Sequence, residues 1–353
     1  MNEKIRHLRE KLKSLNLDGM IVSNPVSIKY LTNIDVEGLL LITRKENVFL
    51  TYSMYLEMVK ATVTINDEVI VADFREIGKD EFETFFLFCE NVGFEENYVT
   101  YKEYHFLKQK YKINNLAETE DIIEKLREVK DEEEIENIRK ACEITDACFE
   151  HLKDFIKIGK TEKEIAFEIE MYFRKNGAEG LAFDTIVAIG ENAANPHWIP
   201  GDRKVEMADL ILIDMGCKVN GYCSDMTRMM FMGCILEEYK PAYDLVLKNL
   251  KTAERETREY ASIKTISQMI DSDLKLNNYT LIHALGHGVG FETHERPYIS
   301  AKNETFLKEN MVLAIEPGVY LPGKYGIRIE DTILVTKNGC EVLTKSQKTY
   351  TVI

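Results

Sequence analysis

Two aspartates lie on the arms of a predicted β-hairpin, on the same face. The apolar run Leu210–Ile213 leads into Asp214, and Asn220-Gly221 has the composition of a type I′ turn. With that turn Asp214 is opposite Thr227, and Asp225, two residues from it, points to the same face. Diagonal neighbours of this kind lie roughly 7–8 Å apart, so both carboxylates can reach one cation or a close pair. A position merely near the turn would explain Asp225, but it explains Asp214 poorly, because the apolar strand should bury that residue.

Three further side chains have the chemistry of metal ligands. His287 lies between two glycines, which predict that the backbone there closely approaches a ligand. Glu316 ends an apolar run and precedes a proline, which favours an extended backbone at the glutamate. Alternation along the predicted strand Gly326–Val335 places Arg328 and Glu330 on one face.

Charge balance favours two metal ions at these residues. Four carboxylates carry four negative charges, and a single divalent cation would leave much of that charge uncompensated in a poorly solvated place. Two divalent cations balance it. An oxygen-rich set with one imidazole favours manganese over a thiolate-type zinc site, with cobalt and zinc left open.

Composition excludes several classes of protein. The chain has 353 residues and a net charge of −15, so its field repels nucleic acid and anionic membranes. We therefore expect neither nucleic acid nor a membrane as a partner. The sequence also lacks a secretory signal and an apolar run long enough to span a membrane. The seven cysteines form no CxxC pair, which favours a reduced, cytoplasmic compartment over a disulfide framework.

The elements that position these residues form two predicted domains. The first half reads as a small α/β unit with one amphipathic helix, a further helix at 81–92, and short buried strands at Met20–Val22, Leu39–Ile42, Val48–Leu50 and Val69–Val71. Capping boxes start helices at Asp131 and at Thr161. Beyond Gly177 the chain is predicted to be rich in strands.

The segments around these residues resemble those of the pita-bread metallopeptidases, which include methionine aminopeptidase, aminopeptidase P and prolidase. The segments that carry the resemblance are similar to the Xaa-Pro branch: Phe183–His197, Gly221–Arg228, Gly286–Glu295 and Ala314–Tyr320. A weaker likeness of Ser23–Thr32 to creatinase-type N-terminal domains completes it. The resemblance implies a two-domain α/β fold, with a small creatinase-like domain over residues 1–120 and an α+β pita-bread catalytic domain over 121–353.

Site residues are carried over from this resemblance position by position. The implied metal ligands are Asp214, Asp225, His287, Glu316 and Glu330. The implied substrate-binding residues are His197, His283, His294, Tyr320 and Arg328. For each histidine, an ordinary buried or loop imidazole is the alternative.

The implied reaction is hydrolysis of the peptide bond before proline by a hydroxide that bridges two metal ions. Glu316 would act as general base and then acid, and His294 would stabilise the developing oxyanion, while His197 anchors the substrate. Substrates would be Xaa-Pro dipeptides or longer peptides, and the family implies a homodimer. Two alternatives stay open: a creatinase-like hydrolase that works without metal, and a pita-bread module that binds peptides without catalysis.

Overall fold

The computed structural model describes residues 3–62, 69–75 and 85–353. The chain forms two compact units, Met1–Leu126 and Arg127–Ile353. None of the helices in the described ranges is both long and apolar enough to cross a membrane.

The first unit is built on a six-stranded mixed sheet with the strand order β4-β3-β2-β1-β5-β6. Its strands are β1 Gly19–Val22, β2 Gly38–Thr43, β3 Asn47–Thr51, β4 Val69–Asp73, β5 Asn91–Phe94 and β6 Asn115–Glu118. Its helices are Glu3–Ser14, Pro25–Thr32, Leu56–Thr62 and Tyr101–Lys110, and a further helix, Ile122–Arg127, crosses the boundary between the units. The four apolar runs predicted as buried strands each lie within β1 to β4, which confirms those predictions.

The helix predicted at 81–92 is not confirmed. Residues 81–84 lie outside the described residues, and Asn91 and Val92 belong to strand β5. Val92 and Phe94 are buried against Ile21 and Leu116 of neighbouring strands, so an apolar pattern that looks helical in isolation is used here to fill the core of a sheet.

The second unit starts with the two helices whose capping boxes were predicted. Asp131 caps the helix Glu132–Phe155 and Thr161 caps the helix Glu162–Lys175. In both, the cap side chain accepts from the backbone of the third helical residue, whose glutamate accepts in return from the cap backbone. Both helix starts are therefore confirmed.

Two larger sheets follow, of four and five strands, with the orders β20-β12-β9-β8 and β14-β13-β15-β18-β19. Smaller sheets of three and two strands have the orders β11-β10-β7 and β16-β17. The strands are β7 Gly180–Leu181, β8 Ile186–Ile189, β9 Leu210–Met215, β10 Cys217–Val219, β11 Tyr222–Cys223, β12 Met226–Phe231, β13 Gly286–Gly288, β14 Glu295–Ile299, β15 Val312–Ile315, β16 Gly318–Leu321, β17 Tyr325–Arg328, β18 Asp331–Val335, β19 Cys340–Val342 and β20 Thr351–Val352.

Two helices interrupt this strand-rich region and were not predicted. Lys240–Glu256 and Ile263–Leu276 contribute Val246, Leu250 and Ile270 to the same hydrophobic core as strands of both larger sheets. Each helix is amphipathic, so the apolar periodicity was a signal that the prediction overlooked.

The predicted hairpin register is confirmed. Asp214 pairs with Thr227, and Val219 pairs with Tyr222. The hairpin is nevertheless divided between two sheets at Gly216, where an added Cβ would lie 2.0 Å from the backbone oxygen of Ser224. Only glycine permits this close crossing of the two arms.

The segment Gly326–Val335 is two strands, which corrects the prediction of one. β17 pairs with β16, whereas β18 pairs with β15 in the five-stranded sheet. Between them, the backbone N–H of Glu330 donates to the oxygen of Thr227 at 3.2 Å. This bond to β12 turns the chain from one sheet to the other and places Glu330 beside both.

Candidate active site

A cavity of about 680 Å³ opens in the second unit. Nine of the ten residues predicted for the site line it: His197, Asp214, Asp225, His283, His287, His294, Glu316, Arg328 and Glu330. The tenth, Tyr320, is connected to the lining by hydrogen bonds of its hydroxyl with His283 Nε2 at 3.0 Å and Arg328 Nη1 at 2.8 Å. The structure therefore brings together side chains from both halves of the unit.

Carboxylates and one imidazole converge on the floor of the cavity. Ligand atoms of Asp225, His287 and Glu330 all lie within 4.8 Å of one another, and all three residues are buried. His287 Nε2 lies 3.6 Å from Asp225 Oδ2 and 3.6 Å from Glu316 Oε1. His287 Nδ1 lies 3.1 Å from the backbone oxygen of Gly288, and donation there leaves Nε2 with a free lone pair for a metal.

The glycines around His287 serve the sheet rather than a ligand, which corrects the reason given for them above. A Cβ on Gly286 would lie 2.0 Å from the oxygen of Ala314, and one on Gly288 would lie 2.1 Å from the oxygen of Arg296. Both contacts are with backbone of the neighbouring strands β15 and β14. The glycines thus allow tight pairing on both sides of the strand that carries His287.

Asp214 is held by an arginine through one oxygen only. Arg328 Nη2 donates to Asp214 Oδ2 at 2.6 Å, while its Nε donates to Thr227 Oγ1 at 3.0 Å. Asp214 Oδ1 is buried and has no hydrogen-bond partner among the described residues. A buried carboxylate oxygen without a partner is costly, and a cation would satisfy it.

Burial and mutual repulsion disfavour the ionised form of these acids. Burial, with repulsion from neighbouring carboxylates, raises the pKa of Asp225 and of Glu330 well above the usual range. Burial likewise raises the pKa of Glu316 to about 7. Such a cluster holds protons unless a cation replaces them, so its oxygen-rich donor set fits divalent metal ions.

The imidazoles of the cavity are held neutral. Burial lowers the pKa of His287 to about 4, and it also lowers the pKa of His283 to about 4. Burial lowers the pKa of His294 as well, and its ring centroid lies 4.1 Å from that of His287. Neutral imidazole is the form that binds metal or donates a single N–H bond to a substrate. His197 is exposed, on the loop before Trp198.

Two residues that form hydrogen bonds to side chains lining the cavity were not singled out from the sequence. Thr227 Oγ1 donates to Glu330 Oε2 at 2.7 Å, and its position opposite Asp214 in the predicted hairpin was the available signal. Glu162 is fully buried and is hydrogen-bonded to the side chain of Trp198 at 2.8 Å. A glutamate in the first turn of a helix is usually a surface residue, so the sequence gives no sign of that role.

Comparison with known proteins identifies the family of both units. Residues 136–337 match the model of metallopeptidase family M24, and residues 4–129 match that of the creatinase/prolidase N-terminal domain. An Xaa-Pro dipeptidase of Pyrococcus furiosus is 35% identical over 352 residues, which are 99% of each chain. These matches confirm the predicted resemblance and the predicted two-domain fold class.

Solved structures lead to the same family. The Xaa-Pro dipeptidase of Bacillus anthracis superposes with a TM-score of 0.93 at 32% identity, covering 99% of both chains. The X-Pro aminopeptidase of Thermotoga maritima superposes with a TM-score of 0.88 at 32% identity, covering 98% of this chain and 100% of its own. A family model over more than half of the chain and relatives along its full length lead to one conclusion: the chain belongs to metallopeptidase family M24, which implies the use of divalent metal.

Proposed function

We propose that this metallopeptidase hydrolyses the peptide bond before proline, with Xaa-Pro dipeptides as its preferred substrates. The observation that carries the proposal is the convergence of four carboxylates and a neutral imidazole on the floor of one cavity. Relatives named Xaa-Pro dipeptidase, similar along the whole chain, support the same substrate class.

The cofactor we propose is a pair of divalent cations, with manganese favoured. Asp225, His287, Glu330 and Glu316 offer one group of donors, and the unpartnered oxygen of Asp214 extends it. When bound, the ions supply Lewis-acid activation of the attacking water and of the scissile carbonyl. Two divalent ions would balance the four carboxylates, and Arg328 adds one positive charge, which leaves the cavity attractive to the terminal carboxylate of a dipeptide.

Glu316 is the residue we assign to proton transfer. Its side chain is 19% exposed to the cavity, and Oε2 lies 3.9 Å from His283 Nδ1. Its Oε1 lies 3.6 Å from His287 Nε2, so the carboxylate lies beside the proposed metal ligands and within the cavity that admits the attacking water. Glu316 can therefore take a proton from the attacking water and deliver it to the prolyl nitrogen, a tertiary amide that leaves poorly unless it is protonated.

Histidines and a polar wall orient the substrate in this proposal. His294, a neutral donor beside His287, would stabilise negative charge that develops on the carbonyl oxygen. His197 would anchor the peptide from the opposite loop. The hydrogen-bonded chain of His283, Tyr320 and Arg328 would hold the remaining wall in place.

Two further assignments belong to this proposal: a homodimer and a cytoplasmic location. All seven cysteines are free thiols, as a reducing compartment would keep them. The comparisons support the peptidase over the metal-free hydrolase and the non-catalytic module considered above.

A substrate panel tests the function. Protein stripped with a chelator is assayed on Gly-Pro, Ala-Pro, a tripeptide with proline second and a peptide that starts with methionine, before and after addition of manganese. We expect the two dipeptides to be cleaved fastest, and only after manganese is restored. Equal cleavage of the methionine peptide, or full activity of metal-free protein, would contradict the proposal.

A further inference from the structure

Glu162 is a buried carboxylate surrounded by N–H donors. It opens the helix Glu162–Lys175 and has no solvent-exposed surface. Its Oε1 accepts from the backbone of Ile189 and from Asn192 Nδ2, both at 2.9 Å. Its Oε2 accepts from Trp198 Nε1 and from the backbone of Gly201, both at 2.8 Å. Each carboxylate oxygen therefore binds two donors.

Glu162 accepts at each of these four contacts. Each carboxylate oxygen faces two N–H groups, so both oxygens use their acceptor capacity in these bonds. Within the described ranges no lysine or arginine lies within ion-pair distance of this carboxylate. Its charge is satisfied by hydrogen bonds and by the first turn of its helix. A buried anion with four donors and no counter-ion is costly to assemble, so it needs a structural reason.

The reason lies in the segment that these donors belong to. Residues 195–201 form a loop without regular structure that carries His197 and Trp198 into the wall of the cavity. Ile189 and Asn192 precede the loop, Trp198 is its midpoint, and Gly201 ends it. One carboxylate thus ties the entrance, the middle and the exit of the loop to a single helix end. A second, weaker contact joins the loop to Arg328, whose Nη1 donates to the backbone oxygen of Pro196 at 3.4 Å.

We propose that Glu162 is the positioning residue of this wall: its four hydrogen bonds set the place of the 195–201 loop and, through it, the affinity for substrate. The proposal rests on the proposed function, in which His197 on that loop anchors the peptide. Glu162 itself touches no substrate and takes part in no chemical step.

The test is Glu162→Gln. One oxygen becomes an NH₂ group that points its hydrogens at two N–H donors, so one pair of bonds is lost while side-chain volume is kept. Trp198 is the only tryptophan in the chain, so fluorescence excited where tryptophan absorbs and the 17 tyrosines do not reports this loop alone. We expect emission at longer wavelength and stronger acrylamide quenching in the metal-free and the manganese-loaded protein. On Ala-Pro we expect kcat/KM to fall roughly 10- to 100-fold, mainly through KM.

Glu164→Gln is the matched control. Glu164 belongs to the same first turn, is exposed, and completes the capping box with Thr161 rather than binding the loop. Its variant should lower the melting temperature but leave Trp198 emission and KM as in the wild type. Asn192→Ala removes a single donor and should move emission and KM in the same direction as Glu162→Gln, by less.

The outcomes separate this inference from the proposed function. Wild-type emission, quenching and KM in Glu162→Gln would overturn it, as would equal changes in Glu164→Gln. A shifted emission with unchanged KM would overturn the effect on affinity. If Glu162→Gln fails to fold, the same readings are taken on Asn192→Ala. If the wild-type enzyme does not cleave Xaa-Pro dipeptides, the proposed function fails, while fluorescence of the substrate-free protein still decides whether Glu162 holds the loop.

Discussion

Two neutral imidazoles of the cavity, those of His287 and His294, differ in the groups that surround them, and this difference determines their chemical roles. His287 has one nitrogen directed at the backbone and the other at two carboxylates, so it suits a metal. The ring of His294 is tilted by 48° to that of His287, and His294 lines the cavity without a carboxylate at ion-pair distance within the described residues. The same residue type therefore has two different roles, which only the three-dimensional neighbours distinguish.

His294→Ala tests the role proposed for this second imidazole. If His294 donates to charge that develops in the transition state, kcat should fall on the order of 10²-fold while KM changes little. Steady-state kinetics on Ala-Pro with manganese measure both constants. His105→Ala, on a helix of the first unit, is the control and should leave them unchanged. An effect on KM alone would move His294 to a binding role.

Glu95 makes the stability of the first unit depend on pH. Burial raises its pKa to about 7 from 4.5, although the backbone N–H groups of Asn24 and Ser23 each donate to Oε2 at 2.8 Å. The unfolded chain ionises Glu95 from about pH 4.5 upwards, whereas the folded chain ionises it only near pH 7. Stability is therefore lost as pH rises between these values, and the loss is complete above the folded-state pKa.

Glu95→Gln should remove this loss, since its amide oxygen can still accept both N–H groups. We expect the variant to be more stable than the wild type by about 1–3 kcal/mol at pH 8, with the difference vanishing near pH 4. Urea unfolding at several pH values measures it. Glu103→Gln is the control of opposite sign, because the Thr100 hydroxyl lowers the pKa of Glu103. A constant Glu95→Gln difference across pH would contradict the assignment.

Strands and helices that depend on local signals were predictable from the sequence. The Asn220-Gly221 turn and the alternation around it gave the register of the hairpin, including the pairing of Asp214 with Thr227. The break in the segment Gly326–Val335 was not predictable, because it depends on a bond from Glu330 to Thr227 of β12, which is 103 residues away in sequence. Local pattern indicates which face a residue occupies, whereas tertiary hydrogen bonds decide where a strand leaves its sheet.

A buried ion pair joins strands β12 and β18. Arg228 Nη2 donates to Asp331 Oδ1 at 2.7 Å, with side-chain exposures of 1% and 0%. Arg228 also donates to the backbone oxygen of Glu330, and Lys348 contacts the other oxygen of Asp331. β12 and β18 therefore meet through charged groups directly behind a proposed metal ligand.

Asp331→Asn should be strongly destabilising. It leaves the Arg228 charge buried without its partner, which costs about 3–5 kcal/mol in comparable sites. Guanidinium unfolding of the metal-free protein gives the free energy of unfolding. Asp202→Asn, at an exposed surface pair with Lys163, is the control and should cost less than about 1 kcal/mol. A loss for Asp331→Asn no larger than the control would show that the pair contributes little.

The assembled site depends on contacts that join distant parts of the chain. Asp214 and Asp225 come with the four-stranded sheet, His287 and Glu316 with the five-stranded sheet, and Glu330 lies between them. Residue types and order were enough to predict the family and nine of the cavity's lining residues. The Arg328 contact with Asp214 and the carboxylate of Glu162 were not, because both arise only when separate elements pack together.

Metal binding should stabilise the whole molecule, because the cations replace protons and relieve repulsion among buried acids. A ligand that binds only the folded state stabilises it by about 2.7 kcal/mol at a concentration 100 times its dissociation constant. We therefore expect manganese to raise the melting temperature of stripped protein in a saturable manner, with two ions per chain by elemental analysis. Asp225→Asn should lose that rise and yet be at least as stable as the wild type without metal at pH 8. Burial raises the pKa of Asp225, so folding without metal at that pH disfavours its ionised form, a cost that asparagine does not carry. Asp184→Asn, on the exposed lining of the same cavity, controls for charge alone and should respond to manganese as the wild type does. Saturation at one ion per chain would refute the dinuclear centre, and an unchanged response in Asp225→Asn would remove that residue from the ligands.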